Sequence, residues 1–110
     1  MRSRTFLGLG LAAACWLATT SAIAADDIEN GAATAKEWCA ACHDISENGP
    51  FKEYPPSFAA IAVYRSPEQI LWRIQIPPEH ARMPRVGYVL DKQTILDLVA
   101  YIVSLEKQPD

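Results

Sequence analysis

The distribution of proline limits what this chain can fold into more than any other feature of its sequence. Seven of its eight prolines lie in one region: Pro50, Pro55, Pro56, Pro67, Pro77, Pro78 and Pro84. Proline lacks a backbone N–H, and it disfavours helical backbone in the residue that precedes it. The middle of the chain is therefore predicted to consist of short pieces, with longer helices before and after it.

The first part of the chain predicts two helices of unequal length. Residues 28–41 are expected to form the longer one, with Asp26 or Asp27 as its cap. Gly31 lies inside this helix at a cost in stability, which indicates a place where another backbone comes close. Residues 57–62 predict one or two further helical turns.

Two more helices are predicted in the second part. Ser66, followed by Pro67 and by Gln69, has the pattern of a capping box with proline at the first helical position. This third helix is expected to end before Pro77. The last helix is expected to run from after Asp91 to about residue 106, because apolar residues recur there at helical spacing. No stretch alternates long enough to predict a strand, so the fold class is all-α.

The N-terminus has the pattern of a secretory signal peptide. Arg2 and Arg4 precede an uncharged apolar run at residues 6–18, and Ala22-Ile23-Ala24 forms a cleavage motif. We expect cleavage of residues 1–24, export to the periplasm, and a single mature domain at residues 25–110. The apolar run is too short for a membrane span and no second one follows, so no span is expected in the mature chain. A retained anchor helix and a lipoprotein anchored at Cys15 are the alternatives.

Charge argues against one class of partner. Ten Lys and Arg against thirteen Asp and Glu give a net charge of −3, and removal of Arg2 and Arg4 would make it −5. An acidic chain without a basic tract is not expected to bind nucleic acid.

Cleavage would leave two cysteines, Cys39 and Cys42, in the sequence C-A-A-C-H that ends at His43. Such a run is compatible with a redox pair, half of a metal site or covalent haem attachment. In an exported chain two free thiols would tend to form a disulfide unless another group consumes them. Two thiols near one helical turn apart suit addition to both vinyl groups of a porphyrin, and the histidine can then bind the iron.

A second iron ligand is predicted at Met83. It is the only methionine besides Met1, and Pro84 restricts it to extended backbone in the proline-rich region. The alternative is a methionine that fills a gap under a loop. His80 is a weaker candidate ligand, and we expect it to be an exposed loop histidine.

These features resemble the small bacterial class I c-type cytochromes. The resemblance rests on WCAACH at residues 38–43, on Asn48-Gly49-Pro50, on Met83-Pro84 and on DLVAYI at residues 97–102. It implies a compact cytochrome c fold of about four helices around one covalent haem c, with the N- and C-terminal helices crossing. By the same resemblance, Cys39 and Cys42 form thioethers and His43 and Met83 bind the iron. The implied function is one-electron transfer rather than enzymatic catalysis.

The resemblance also implies supporting contacts. Gly31 and Tyr101 would meet where the terminal helices cross, and the carbonyl of Pro50 would accept the His43 Nδ1–H bond. Ala35 replaces an aromatic residue that is frequent in the family. Trp38 or Tyr101 is expected to fill that space.

The expected partners are redox proteins, namely a periplasmic dehydrogenase, an oxidase or a membrane respiratory complex. A collar of four arginines near the haem edge could steer an acidic partner: Arg65, Arg73, Arg82 and Arg85. The chain would act as a monomer or as the small haem subunit of a periplasmic dehydrogenase or oxidase.

Three other functions fit the sequence less well. A dithiol oxidoreductase would need a thioredoxin-like βαβ unit, which this chain lacks. A structural metal site could use Cys39, Cys42 and His80, but a further ligand is missing. A haem sensor or peroxidase would need an open iron position, which Met83 would close.

Overall fold

The computed structural model describes residues 26–51 and 54–106, together with Gly10 and Cys15. These described residues form four α-helices: α1 (Ile28–Trp38), α2 (Phe58–Tyr64), α3 (Pro67–Gln75) and α4 (Lys92–Ser104). A 3-10 turn lies at Val86–Tyr88, and the described ranges contain no strand element. The prediction of an all-α fold with about four helices is confirmed. The predicted signal peptide and its cleavage site fall outside the described ranges.

Each helix begins where a short polar side chain caps it. The carboxylates of Asp27 and Asp91 and the hydroxyl of Ser57 each accept a bond from the backbone N–H three residues on. At α3 both halves of the predicted capping box are present, because Ser66 N–H also donates to Gln69 Oε1 at 3.0 Å. None of the helices in the described ranges is long and apolar enough to cross a membrane.

The first helix ends earlier than predicted, at Trp38 rather than at residue 41. The backbone N–H groups of both Cys39 and Ala40 donate to the Ala35 carbonyl, at 2.9 and 3.0 Å, which closes the helix. The N–H groups of Cys42 and His43 then both donate to the Cys39 carbonyl, at 3.1 and 2.9 Å. The C-A-A-C-H run therefore forms its own turn after α1.

The terminal helices α1 and α4 cross at Gly31, as predicted. A Cβ atom at this position would clash with the backbone carbonyl of Asp97 and would lie 2.8 Å from the Cβ of Tyr101. Ala35 is fully buried one turn further along α1. Trp38 does not fill the space beside it, because this side chain is 42% exposed. Tyr101 occupies the crossing instead.

A buried carboxylate at this crossing was not predicted. Asp97 is 3% exposed and accepts bonds from Asp27 N–H, Asn30 Nδ2 and Gln93 Nε2 at 2.8–2.9 Å. The bond from Asp27 N–H lowers the pKa of Asp97 most, burial opposes this, and the side-chain bonds add to the lowering. Since Asp27 and Asn30 form the N-terminus of α1, the charge also lies at the positive end of that helix.

Candidate haem-binding site

Cys39, Cys42 and His43 lie within the single turn that follows α1. Cys39 is buried at 8% exposure and belongs to the core, whereas Cys42 is exposed and His43 is half-buried. Both thiols are free. The turn therefore presents one thiol from the core side and one from the solvent side, with the imidazole adjacent.

The His43 imidazole is fixed through its Nδ1 atom. Nδ1 lies 2.6 Å from the carbonyl oxygen of Pro56, which can only accept, so Nδ1 carries the proton. The prediction that Pro50 supplies this carbonyl is wrong. Pro50 is exposed, whereas Pro56 directly precedes the Ser57 cap of α2 and is half-buried. Because Nδ1 holds the proton, Nε2 keeps its lone pair and can bind a metal.

The two residues after His43 also accept hydrogen bonds from residues far away in the sequence. Phe58 N–H donates to the carbonyl of Asp44 at 2.9 Å, and the Tyr101 hydroxyl donates to the carbonyl of Ile45 at 2.6 Å. Three consecutive residues are thus each hydrogen-bonded to distant residues, the first two to the entrance of α2 and the third to α4. We call residues 43–45 the histidine segment.

Two aromatic rings pack in series beside the histidine segment. The Phe58 ring centroid is 5.4 Å from that of His43, with an interplanar angle of 49°. The same ring lies 6.4 Å from the Tyr101 ring. Phe58 is only 4% exposed, so these rings form an apolar support between α4 and the imidazole.

Cys39 is unsuited to be the attacking thiol of a dithiol oxidoreductase. Burial raises the pKa of the Cys39 thiol to about 11, so it stays protonated at neutral pH. The more exposed thiol of this pair is Cys42. For the metal-site alternative, residues 26–51 and 54–106 bring no three His, Cys, Asp or Glu side chains together.

Met83 lies in the irregular chain between α3 and α4, which we call the methionine segment (residues 77–91). It is half-buried and packs against the core cluster that contains Cys39. Pro84 follows it, and the Pro84 carbonyl accepts from Val86 N–H at 2.9 Å. His80 is exposed. The structure therefore places Met83 against the same core as the cysteine turn, and leaves His80 at the surface.

Two of the four arginines line one cavity of about 500 Å³. Arg65 and Arg73 border it together with Trp72, which is 60% exposed. Arg82 and Arg85 are exposed on both sides of Met83 but do not line it. The four arginines of the predicted collar thus form two pairs. Arg65 and Arg73 line a cavity with Trp72, and Arg82 and Arg85 lie on either side of Met83 in the sequence.

The described side chains suit a covalently bound haem. Two unpaired thiols one turn apart can form two thioethers, and the tautomer of His43 leaves Nε2 available for iron. Met83 offers a soft thioether, and apolar side chains remain exposed close to Arg73, with Ile76 at 65%. A flat apolar ring with two carboxylates could cover these side chains.

Comparison with known proteins gives two matches. The family described as "Cytochrome C oxidase, cbb3-type, subunit III" matches residues 26–102. Cytochrome c-552 of Bradyrhizobium diazoefficiens is 35% identical over 103 residues, which cover 89% of this chain and 92% of the relative. No solved structure matches the chain.

Proposed function

Because this chain belongs to the cytochrome c family, we propose that it carries single electrons in the periplasm through one haem c bound by His43 and Met83. Proteins of this family are electron carriers and not enzymes, and their domain holds haem c covalently. The iron supplies the chemistry by alternating between its ferrous and ferric states. The protein's own residues determine how the iron is held and how water is excluded.

The proposal is supported most directly by the hydrogen bond between His43 Nδ1 and the Pro56 carbonyl. This bond fixes the ring orientation and the tautomer before any metal is bound, so Nε2 is the nitrogen that would bind the iron. Cys39 and Cys42 would form the two thioethers from the same turn. A ligand that needs no rearrangement suits electron transfer, because little reorganisation accompanies a change of charge at the iron.

Met83 is proposed as the second residue that would bind the iron. A thioether is a weak donor that favours ferrous iron, and methionine ligation raises the reduction potential. The core around Met83 is apolar, with Ile74 and Val86 both buried, and such surroundings also disfavour the extra charge of ferric iron. Both effects point to a carrier at the oxidising end of an electron-transfer chain.

The cavity lined by Arg65 and Arg73 is proposed to bind carboxylates. The guanidinium groups of Arg65 and Arg73 and the indole N–H of Trp72 are donors that suit carboxylates. The haem propionates or the acidic residues of a docking protein would both satisfy them. Transient redox partners bind through small, wet interfaces, and a local positive charge on an acidic protein would steer them.

The periplasmic location rests on the predicted signal peptide. Homologous c-type cytochromes are typically exported, and removal of residues 1–24 would leave a domain that starts shortly before α1. Mass spectrometry of the haem-loaded protein from a periplasmic fraction tests this. A mass that starts at Ala25 is expected, whereas retention of residues 1–24 would contradict the proposal.

One observation favours a second candidate, the small haem subunit of an oxidase or dehydrogenase complex. The matching family is described as a subunit of a cbb3-type oxidase. Size-exclusion chromatography of gently solubilised native extract separates the two possibilities. A free carrier elutes at the size of a small monomer, and a bound subunit elutes with its complex.

The ligand assignment is tested by Met83→Leu, with His80→Ala as the matched control. Met83→Leu should abolish the sulfur-to-iron charge-transfer absorption of the ferric protein. It should also lower the midpoint potential and let ferrous protein bind carbon monoxide. His80→Ala should change none of these. A colourless wild-type protein, or an unchanged Met83→Leu spectrum, would refute the proposed ligation.

A further inference from the structure

The Tyr101 hydroxyl makes a contact that the packing of α1 against α4 does not itself require. The ring already fills the crossing of α1 and α4, where its Cβ would lie 2.8 Å from a Cβ at Gly31. Its oxygen nevertheless donates to the carbonyl of Ile45, 56 residues away in the chain, at 2.6 Å. Burial, and secondarily the charge of Glu47, raise the pKa of Tyr101, so the hydroxyl remains a donor at neutral pH.

The histidine segment is also hydrogen-bonded to the entrance of α2. Its first residue bonds to Pro56 and its second to Phe58, which are two residues apart at the entrance to α2. The bond from Tyr101 comes instead from α4. Without it, the segment would lose this hydrogen bond to the helix crossing and would move more freely against the entrance of α2. The distance from His43 Nδ1 to the Pro56 carbonyl would then vary with the movement of the segment.

We propose that the Tyr101 hydroxyl is a positioning group for His43, and that it tunes the electron density which the imidazole donates to the iron. This rests on the proposed function, in which His43 Nε2 is an iron ligand. A short bond from Nδ1–H to a carbonyl makes the imidazole a stronger donor, which favours ferric iron. Loss of the hydroxyl should lengthen that bond and raise the midpoint potential.

Tyr101→Phe is the test, because it removes the hydroxyl and keeps the ring at the helix crossing. Tyr88→Phe is the matched control, since Tyr88 is 80% exposed and loses the same atom. Each haem-loaded variant is titrated for its midpoint potential. NMR of the reduced protein then gives the solvent exchange rate of the His43 Nδ1 proton.

Tyr101→Phe is expected to change the redox equilibrium constant two- to threefold in favour of ferrous iron, which corresponds to about 20–30 mV at 59 mV per tenfold. Exchange of the Nδ1 proton should become several-fold faster. Tyr88→Phe should leave both unchanged. If Tyr101→Phe lowers only the unfolding midpoint and leaves potential and exchange at wild-type values, the hydroxyl is structural and the inference is overturned.

A second variant covers the case in which Tyr101→Phe yields no haem-loaded protein. With Tyr54, Tyr64 and Tyr88 changed to Phe, biosynthetic 3-fluorotyrosine labels Tyr101 alone and keeps its ring. The more acidic hydroxyl donates more strongly, so the potential should fall relative to the unlabelled protein. An unchanged or raised potential would overturn the inference. The proposed function fails separately, if His43→Ala leaves the wild-type haem spectrum unchanged.

Discussion

The segments that carry the two proposed iron ligands are held in opposite ways. The histidine segment bonds to Pro56, Phe58 and Tyr101, which are 13 to 56 residues away. In the methionine segment, the described hydrogen bonds span only two to four residues, such as those from Ala81 N–H to Pro78 and from Leu90 N–H to Val86. Tertiary hydrogen bonds thus position the histidine, whereas packing and prolines position the methionine.

This difference has a consequence for a haem protein. A ligand held by several distant bonds is in place before the metal binds, and it moves little afterwards. A segment held by local bonds can open without breaking the core, because stability is not uniform across a structure. Ligand exchange and adjustment to partners are therefore expected on the methionine side.

Among the changes that test this difference, two glycine substitutions are expected to have the largest effect on stability. In Gly31→Ala the new Cβ meets backbone of α4, and we expect a loss of about 3 kcal/mol even after the gain of about 1 kcal/mol in helix propensity. Gly87→Ala is the matched change on the methionine side. Its Cβ would lie 3.1 Å from Gln75 Cα, so a small shift suffices and about 1 kcal/mol is expected.

Urea unfolding of the two haem-loaded variants measures both losses. Equal losses would mean that the methionine segment is packed as rigidly as the helix crossing. The methionine segment would then not be the more easily opened part of the molecule.

The buried carboxylate of Asp97 should have the next largest effect. Asp97→Asn removes the charge that accepts from Asp27, Asn30 and Gln93, and we expect a loss of about 2 kcal/mol at pH 7, since solvent near the surface screens part of the interaction. The folded-state pKa is lowered, so this stabilisation is complete above the unfolded value of about 3.9. It is lost as the pH falls through the lower folded value.

Urea unfolding across pH 3 to 7 checks this sign. The penalty of Asp97→Asn should stay constant above about pH 5 and shrink below about pH 4. Asp91→Asn is the control, because asparagine also caps a helix, and its loss should be much smaller. A penalty for Asp97→Asn that grows in acid would contradict the assignment.

The helices could be predicted because their signals are local. The capping box at Ser66 and the stop before Pro77 are encoded within a few residues, and both agree with the structure. The end of α1 could not be placed in this way. Nothing in the residues from Trp38 to Ala41 disfavours helix. The backbone bonds of Cys42 and His43 to the Cys39 carbonyl, not propensity, form the separate turn.

The candidate site can be identified from the sequence where it depends on residue type, but not where it depends on the path of the chain. Residues 39–43 contain the three candidate haem-binding side chains close together in the sequence, so the pattern was visible. Pro50 and Pro56 both follow the motif, and the Pro56 carbonyl reaches His43 in a part of the structure where the Phe58 amide also bonds to Asp44. The hydroxyl contact between Tyr101 and Ile45 leaves no local signal.

Amide hydrogen exchange tests directly whether the methionine segment opens more easily than the histidine segment. The Phe58 amide donates to the histidine segment, and the Ala81 amide donates within the methionine segment, both at 2.9 Å. Since local bonds break in small openings, the Ala81 amide should exchange roughly tenfold faster or more in the reduced protein. Similar protection of both amides would show that the two segments open together.

The smallest expected effect comes from two serine caps that differ mainly in burial. Ser57 opens α2 beside the histidine segment and is fully buried, whereas Ser66 opens α3 before the methionine segment and is exposed. Each hydroxyl accepts from the N–H three residues on at 3.2 Å. Water can replace the hydroxyl of Ser66, so Ser66→Ala should cost about 0.5 kcal/mol. Ser57→Ala strands the buried Ala60 N–H and should cost about 1.5 kcal/mol. Urea unfolding of both variants measures the two losses in the free energy of unfolding. Equal losses would mean that the burial of Ser57 does not make its cap more important than the exposed cap at Ser66.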